Sequence, residues 1–501
     1  MVDLNLLERS IARIAPQWGL RRLSSKFALE QASEAMRGYD AARRDRRTAS
    51  WRATGGSANA EIGPALEIIR RRTRDMVMNN EWAANAKRKL VAHIVGTGFT
   101  LRPAAGTAKA TKKKAADCWA EFDENCDPGG MADFNGKQAQ AIGEVVEGGA
   151  AFIRWYLRPP DWKMRVPLQC EVLEHDYLDI RRNEANDERI ILNGVEYDRH
   201  GRRLAYWLFP CHPGEIATIS KGRFQSERIP ASEVDHIFRI DRPGQVTGVP
   251  WFSPLLMRLR DVADYEEAEQ IRKKIEACFT VFVTQPDTAA MSLVQAGQQA
   301  KDDKGRKIEK IAPGMISYLP AGGDVKTAAP TANGGYTDHI GQQLMAAAAG
   351  IGLTVAQLTG NLKDVNFTSL REGKLDFHQV LDQWQWLMVV PQLCRPAWRR
   401  VMAVSAGRGL VPTMHIRHES APPKRPWVDP FKDIKAEEME IDLGLETWRD
   451  KVAARGYDPD ERLEAVKQER KELAEAGIHL GKAGKPGLQR QESQPDEAKP
   501  K

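Results

Sequence analysis

The sequence predicts an α+β fold drawn out into several parts, and three features predict it. Residues 150–245 are dense in short strand signals separated by turn residues. Leu255 to Cys278 then runs for 24 residues without Gly or Pro, which reads as one long helix. Further helical patterns follow, but only after a polar, strand-containing insert. The order of helix, β insert, helix, loop and long helix is unusual for a compact enzyme domain, and 501 residues leave room for several parts.

In chain order, residues 1–60 read as a basic N-terminal arm. Asp3–Ile14 fits one amphipathic helix, Arg37–Arg52 is dominated by charge, and Thr54–Ser57 is a Gly/Ser hinge. Leu66 to Val95 carries Leu66, Ile69, Met76, Ala83, Ala86, Leu90 and Ile94 at helical spacing; Asn79-Asn80 divides it, and Gly96 and Gly98 stop it. Phe99–Arg102 is extended, and Gln138–Val146 is helical again. Ala150–Tyr156, Val166–Leu173, Ile190–Leu192, Leu204–Phe209 and Val234–Ile240 read as strands, with turns at Asn193-Gly194 and His212-Pro213-Gly214.

Ser253 stands where the N-cap of the 24-residue helix belongs. That helix would be ~36 Å long. Its apolar stripe (Leu255, Leu256, Leu259, Val262, Ala263) is narrow, and its charge is dense and mixed. Such a helix is hard to bury in a monomer; it calls for a neighbouring copy or a solvent-filled space. Phe279–Val283, Met315–Leu319 and Val325–Ala328 are strands around a polar excursion, Ala290–Lys310. Gly341–Leu358 is a helix and Thr359–Thr368 a loop. Ser369–Val404 is a long helix with Leu370, Phe377, Leu381, Trp384 and Met388 on one face, and Pro391 should kink it. Pro412–Pro430 is a Pro-rich connector. Ile434–Leu443, Thr447–Arg455 and Asp460–Ala476 are short helices, and residues 481–501 have the composition of a disordered tail.

Several function classes are disfavoured. The net charge of +6 is small for a DNA-adhesive protein, and residues 1–103 hold 19 Lys/Arg against 10 Asp/Glu, so the rest of the chain is slightly acidic. The six cysteines (Cys118, Cys126, Cys170, Cys211, Cys278, Cys394) are scattered without a C-x-x-C pair, which predicts reduced thiols of a cytoplasmic product. No secretory leader is expected, since Glu8, Arg9 and Arg13 interrupt Leu4–Ile14. The weakly polar stretch Leu344–Leu358 falls short of the ~20 residues of a membrane span. There is no phosphate loop of the Gly-x-x-x-x-Gly-Lys-Ser/Thr type, and Gly481–Gly487 has its composition without its spacing. His-Glu-x-x-His and Gly-x-Ser-x-Gly are absent too. An ATP-driven motor is therefore disfavoured, and neither a catalytic residue nor a cofactor is expected.

Three weaker candidates remain. Glu171, Glu174, His175, Asp176 and Asp179 have the residue types of a magnesium site, but on a strand and turn they alternate faces and need not converge. A satisfied charge cluster is the simpler reading, so no metal ligand is assigned. His415 and His418 share a face only if their segment is helical. Arg43, Arg44, Arg46 and Arg47, followed by Trp51-Arg52, suit either nucleic-acid backbone or carboxylates of a neighbouring subunit; Arg70–Arg72 with Arg74 form a second basic cluster.

A resemblance adds to these readings. Tyr39-Asp40-Ala41-Ala42, Thr48-Ala49-Ser50-Trp51, Asn79-Asn80 with Ala83-Ala84-Asn85-Ala86, and Val95-Gly96-Thr97-Gly98 follow one family pattern. Asn193-Gly194-Val195-Glu196-Tyr197-Asp198, Gly201-Arg202, Ala205-Tyr206-Trp207-Leu208 and His212-Pro213-Gly214 continue it. So do Gly248-Val249-Pro250-Trp251, Ser253-Pro254, Leu259-Arg260-Asp261, Tyr265-Glu266-x-Ala268-Glu269, Asn366-Phe367-Thr368-Ser369-x-Arg371 and Val428-Asp429-Pro430. In this order, over roughly residues 39–480, the chain resembles the portal proteins of lambda-like tailed bacteriophages, with Phe367-Thr368 where the family pattern has Tyr-Ser.

The resemblance implies a non-enzymatic subunit with a wing (61–253), a first stem helix (254–278), a clip (279–332) and a second stem helix (333–358). A tunnel loop (359–368), a long kinked helix (369–404), a return to the wing (405–430) and a crown (431–480) complete it. It further implies a ring, usually of twelve copies, at one capsid vertex of the virion, assembled in the bacterial cytoplasm without a membrane. The implied partners are the terminase large subunit, the major capsid and scaffold proteins, head-completion and tail adaptor proteins, and double-stranded DNA passing without sequence specificity. Lys363, Asp364, Asn366 and Thr368 would then approach the DNA. The competing readings are a metal-dependent DNA-processing enzyme using Glu171 and Asp176, and another virion structural protein, which would leave the order of helices and insert unexplained.

Overall fold

The computed structural model describes Arg46, Ser50, residues 54–104, 106–215, 225–277, 281–284, 316–319, 335–363, 366–425, Trp427 and residues 429–478. These divide into two units, Met1–Ser57 and Ala58–Lys501, and the second holds all the elements that follow. Mixed helix and strand is what it contains.

Two helices open the unit: α1 (Ala58–Asn79) and α2 (Glu81–Ile94). They part at Asn80, as the asparagine pair predicts, because the Asn80 side chain accepts the Ala83 amide and caps α2. Strand β1 (Thr100–Pro103) and helix α3 (Lys109–Asn125) follow. Helix α4 (Phe134–Gly148) then leads into strands β2 (Ala150–Leu157) and β3 (Leu168–Glu174). Sequence reading passed over α3, although Ala115, Cys118 and Phe122 lie on its buried side. Its dense lysines obscure that periodicity.

The β-rich module is two sheets. In one, β3, β2 and β9 (Val234–Phe238) run antiparallel in that order. The other is an antiparallel meander of β4 (Glu184–Ala185), β5 (Arg189–Leu192), β6 (Val195–Asp198), β7 (Arg203–Leu208) and β8 (Glu227–Pro230). Asn193-Gly194 makes the β5–β6 hairpin turn with φ of 46° and 81°, the pair of left-handed conformations that a tight hairpin needs. The core lies between α2, α3, α4, the three-stranded sheet and the last long helix, where Trp119, Phe122, Phe134, Trp155 and Trp398 pack ring against ring.

Helix α5 (Leu256–Ala277) matches the predicted long helix. Ser253 does not cap it; its hydroxyl donates to the Pro250 carbonyl at 2.5 Å within a preceding turn. Strands β10 (Val281–Thr284) and β11 (Ile316–Leu319) pair in parallel, while Ala290–Lys310 and Val325–Ala328 lie outside the described residues. The helix predicted over Gly341–Leu358 is two: α6 (Tyr336–Ile351) and α7 (Val355–Thr359). Gly352, at φ 78°, ends the first, and Thr354 with Gln357 forms a reciprocal capping box that starts the second.

The long helix that follows is interrupted rather than simply kinked. Helix α8 (Phe367–Trp384) and α9 (Arg395–Gly407) flank a ten-residue π-helical stretch, Gln385–Cys394, which contains Pro391. Within the Pro-rich connector, β12 (His418–Ala421) pairs antiparallel with β1. Helices α10 (Pro430–Asp442), α11 (Trp448–Ala454) and α12 (Pro459–Glu475) bury none of their own residues in the chain. Asp458 caps α12, as its position before Pro459 predicts.

Candidate functional site

Helices α5 and α6 pack through Val262, Ile340 and Leu344, with Trp82 of α2 and Tyr336 beside them. Tyr265 stacks on Tyr336 with ring centroids 5.8 Å apart and meets His339 edge-on at 5.0 Å. Beyond Val262, no described side chain of α5 up to Lys274 is buried. Two ion pairs run along the helix, Arg260–Asp264 and Arg272–Glu269. The pattern is that of a helix pair held at one end, with its other described surfaces exposed.

Helix α7 fixes where the next loop begins. The Asn85 side chain of α2 donates to the Leu358 carbonyl at 2.7 Å and to that of Gln357 at 3.1 Å, and Gly360 ends α7 in the left-handed conformation. Asn361, Leu362 and Lys363 follow, all exposed. Asn366 then accepts the Ser369 amide at 2.8 Å and caps α8. The loop is therefore shorter than Thr359–Thr368: Asn366 is the cap, and Thr368 lies exposed in the first turn of α8. Asp364 lies outside the described residues. From Thr368 to Asp376 no side chain of α8 is buried, and burial begins at Phe377.

The acidic candidates meet a different fate. Asp176 sits between two arginines of α1, with Arg70 at 3.0 Å and Arg74 at 2.5 Å. Arg74 also reaches Glu174 at 2.8 Å and Glu144 of α4 at 3.0 Å. Burial would raise the Asp176 carboxyl, but Arg70 and Arg74 outweigh it and hold the group below its ordinary value. Burial wins at Glu144, which is pushed up to about 7 against the pull of Arg74. His212, which sequence reading used only as a turn residue, approaches Glu174 at 3.3 Å. Glu174, Asp176 and His212 thus converge, but Arg70 and Arg74 already supply the positive charge that a cation would bring.

The other members of that candidate are spent elsewhere. Glu171 accepts from the Tyr156 hydroxyl at 3.0 Å, and Asp179 accepts from Ser226 at 2.7 Å. His175 is buried, its Nδ1 on the Gly148 carbonyl at 2.8 Å and its Nε2 on the Thr247 hydroxyl at 2.7 Å. Neither Glu171 nor His175 therefore offers a free ligand atom to Asp176. Most of the second basic cluster is committed within the chain: Arg70 and Arg74 serve these carboxylates and Arg71 pairs with Glu67, while Arg72 is exposed. His418 lies on β12 and stacks on Trp398, while His415 is in the preceding loop, so the two share no helix face. Of Arg43, Arg44, Arg46 and Arg47 only Arg46 is described, exposed in a turn.

The sequence is similar to those of known proteins. The model of the family described as phage portal protein, lambda family, matches residues 44–385. The probable portal protein of Halomonas phage phiHAP-1 is 27% identical over 481 residues, covering 88% of each chain. Portal protein B of Escherichia phage lambda is 22% identical over 498 residues, covering 86% of this chain and 88% of the other. Among solved structures, a chain in the neck of a native gene transfer agent particle superposes with a TM-score of 0.40 at 13% identity, over 78% of this chain and 94% of that one. A chain in the neck of the empty particle gives 0.39 at 14% identity, over 82% and 97%. These structural likenesses are too loose to bear on the argument; the family match spans well over half of the sequence. The chain belongs to the lambda family of phage portal proteins.

Proposed function

We propose that this chain is the repeating subunit of a ring at one capsid vertex, through which double-stranded DNA enters and leaves a phage head. The family match over residues 44–385 carries this reading, because it includes α5, α6, α7 and all of α8. In it, 61–253 is the wing and α5 and α6 are the stem, with the second stem helix ending at Ile351 rather than Leu358. Residues 279–332 are the clip, Gly360–Val365 the tunnel loop, 369–404 the interrupted long helix and α10–α12 the crown. Neighbouring copies, twelve in all, cover what α5 and α10–α12 leave open. The terminase motor docks during packaging and head-completion proteins afterwards.

Low friction follows from the chemistry. Every phosphate neutralised by a fixed cation must be released before the duplex advances, so a strongly basic channel would brake it. A net charge of +6 over 501 residues suits a duct. Of the four residues expected to meet the duplex, Asn366 is committed to its cap and Asp364 lies outside the described residues, which leaves Lys363 in the loop and Thr368 in the first turn of α8 exposed to a passing backbone. The test is negative-stain microscopy of the purified protein. Rings with a central hole are expected; monodisperse monomers under every condition would overturn the reading.

A further inference from the structure

Cys126 and Cys170 are far apart in sequence, yet they adjoin where the end of α3 meets β3. The Cys170 amide donates to the Cys126 carbonyl at 2.8 Å, the Cys126 thiol lies beside that of Cys170 while reaching the Ala132 carbonyl at 3.9 Å, and both residues are fully buried. Cys126 is helical and Cys170 lies in a strand, but with that backbone bond at 2.8 Å the covalent geometry on either side keeps their Cα atoms within about 6.7 Å of each other. A disulfide spans roughly 4.4–6.8 Å between those atoms. The corner around the pair is already ordered. Gln169 donates to the Asn125 carbonyl at 2.9 Å, and Lys137 pairs with Asp127 at 2.7 Å. Closing a bond between the sulfurs therefore asks little of the backbone.

We propose that Cys126 and Cys170 form a latent disulfide, open while the chain folds among cellular thiols and closed by a small-molecule disulfide once the particle reaches an oxidising medium. The change of medium rests on the portal reading; the pairing itself does not. When the buried corner opens locally, one cysteine gives up its proton and attacks the small disulfide, whose S–S bond breaks and whose departing thiolate takes up a proton. The second cysteine then attacks the protein sulfur of the mixed disulfide, joins it, and releases a second small thiol with the second proton. Two cysteines are oxidised and one disulfide is reduced to two thiols. The hydrogen bond from Cys126, together with burial, keeps the Cys170 thiol well above its ordinary range, so the exchange is slow at neutral pH and faster in alkali. Once closed, the bond staples α3 to β3 across α4 and β2.

The test incubates the purified full chain with oxidised glutathione in mildly alkaline buffer, blocks remaining thiols after unfolding, and maps unreduced peptides by mass spectrometry. The half-exposed Cys211 serves as the control that oxidant has acted. A Cys126–Cys170 peptide pair, reversed by dithiothreitol and lost in Cys126→Ser, is the expected result, with a higher unfolding temperature for the oxidised form. Cys211 modified while Cys126 and Cys170 are both recovered as free thiols would overturn the proposal, as would Cys170 joined to any other cysteine. Ring formation is not read in this assay, so its failure and that of the portal reading are separable.

Discussion

His175 shows how much a single buried side chain determines. The Gly148 carbonyl can only accept, so Nδ1 carries the ring proton and Nε2 takes the Thr247 hydroxyl, which ties the β3 turn to the end of α4 and to the segment after β9. Burial, reinforced by Arg70, pushes this imidazole down from 6.5 to about 3. The unfolded chain therefore takes the proton first. The stability tied to the neutral ring is complete above pH 6.5 and is lost as pH falls towards about 3. The loss should be on the order of a few kcal/mol. His175→Asn keeps a donor for Gly148 and discards the titrating ring. It should be less stable at neutral pH, with an unfolding midpoint that falls less steeply than wild type on acidification; parallel profiles would refute the assignment. A neighbouring constraint is steric: a β-carbon on Gly248 would stand 1.9 Å from the Gly149 carbonyl oxygen, so this crossing of chains admits only glycine.

At the scale of elements, the π-helical stretch is explained by the two glutamines at its ends. Gln385 donates to the Ile94 carbonyl at 2.8 Å, where α2 ends, and Gln392 accepts the Phe238 amide at 2.8 Å from β9. An uninterrupted α-helix would present these two positions at a different angle to each other, and Pro391 already removes one amide from its ladder. Gln392→Ala should leave the Phe238 amide without its acceptor and cost about 1–3 kcal/mol in denaturant unfolding. Pro391 was legible in the sequence; the spread of its effect over Gln385–Cys394 was not, because that depends on β9 and α2, which are distant in the chain. Local signals fared well elsewhere, as at Asn80, Asn193-Gly194 and Asp458, where one side chain or one turn decides the boundary. Pairing of β1 with β12, and of Arg74 with three carboxylates, has no local signature. The loop was placed correctly but drawn too long, since Asn366 reads equally as loop residue or cap. Its deletion must therefore spare that cap: removing residues 361–365 should leave rings intact while lowering packaged or retained DNA, and wild-type packaging would dismiss the loop as a channel element.

For the whole molecule the decisive quantity is how its charge is placed. The N-terminal fifth is basic, but within it Arg70, Arg71, Arg74, Lys87 and Arg102 are already paired with carboxylates of the same chain. Arg37–Arg52 alone holds six Lys/Arg against two Asp/Glu, and Lys363 is the only basic residue between Gly360 and Asn366. A family label alone predicts contact with DNA; this distribution predicts weak contact. A protein that neutralises six to ten phosphates loses about 10³–10⁵-fold in affinity between 50 and 200 mM salt. For assembled rings of this chain the change should be less than about tenfold, because a net charge of +6 over 501 residues leaves a small basic excess for counterion exchange. Fluorescence anisotropy with a labelled duplex, titrated at several salt concentrations, measures that slope directly. Truncation of residues 1–53 should flatten it further, whereas Lys363→Ala should alter it by no more than about one phosphate's worth per subunit in contact. Tight binding with a steep slope in the truncated protein would mean that the channel grips DNA, and a low-friction duct would then have to be abandoned.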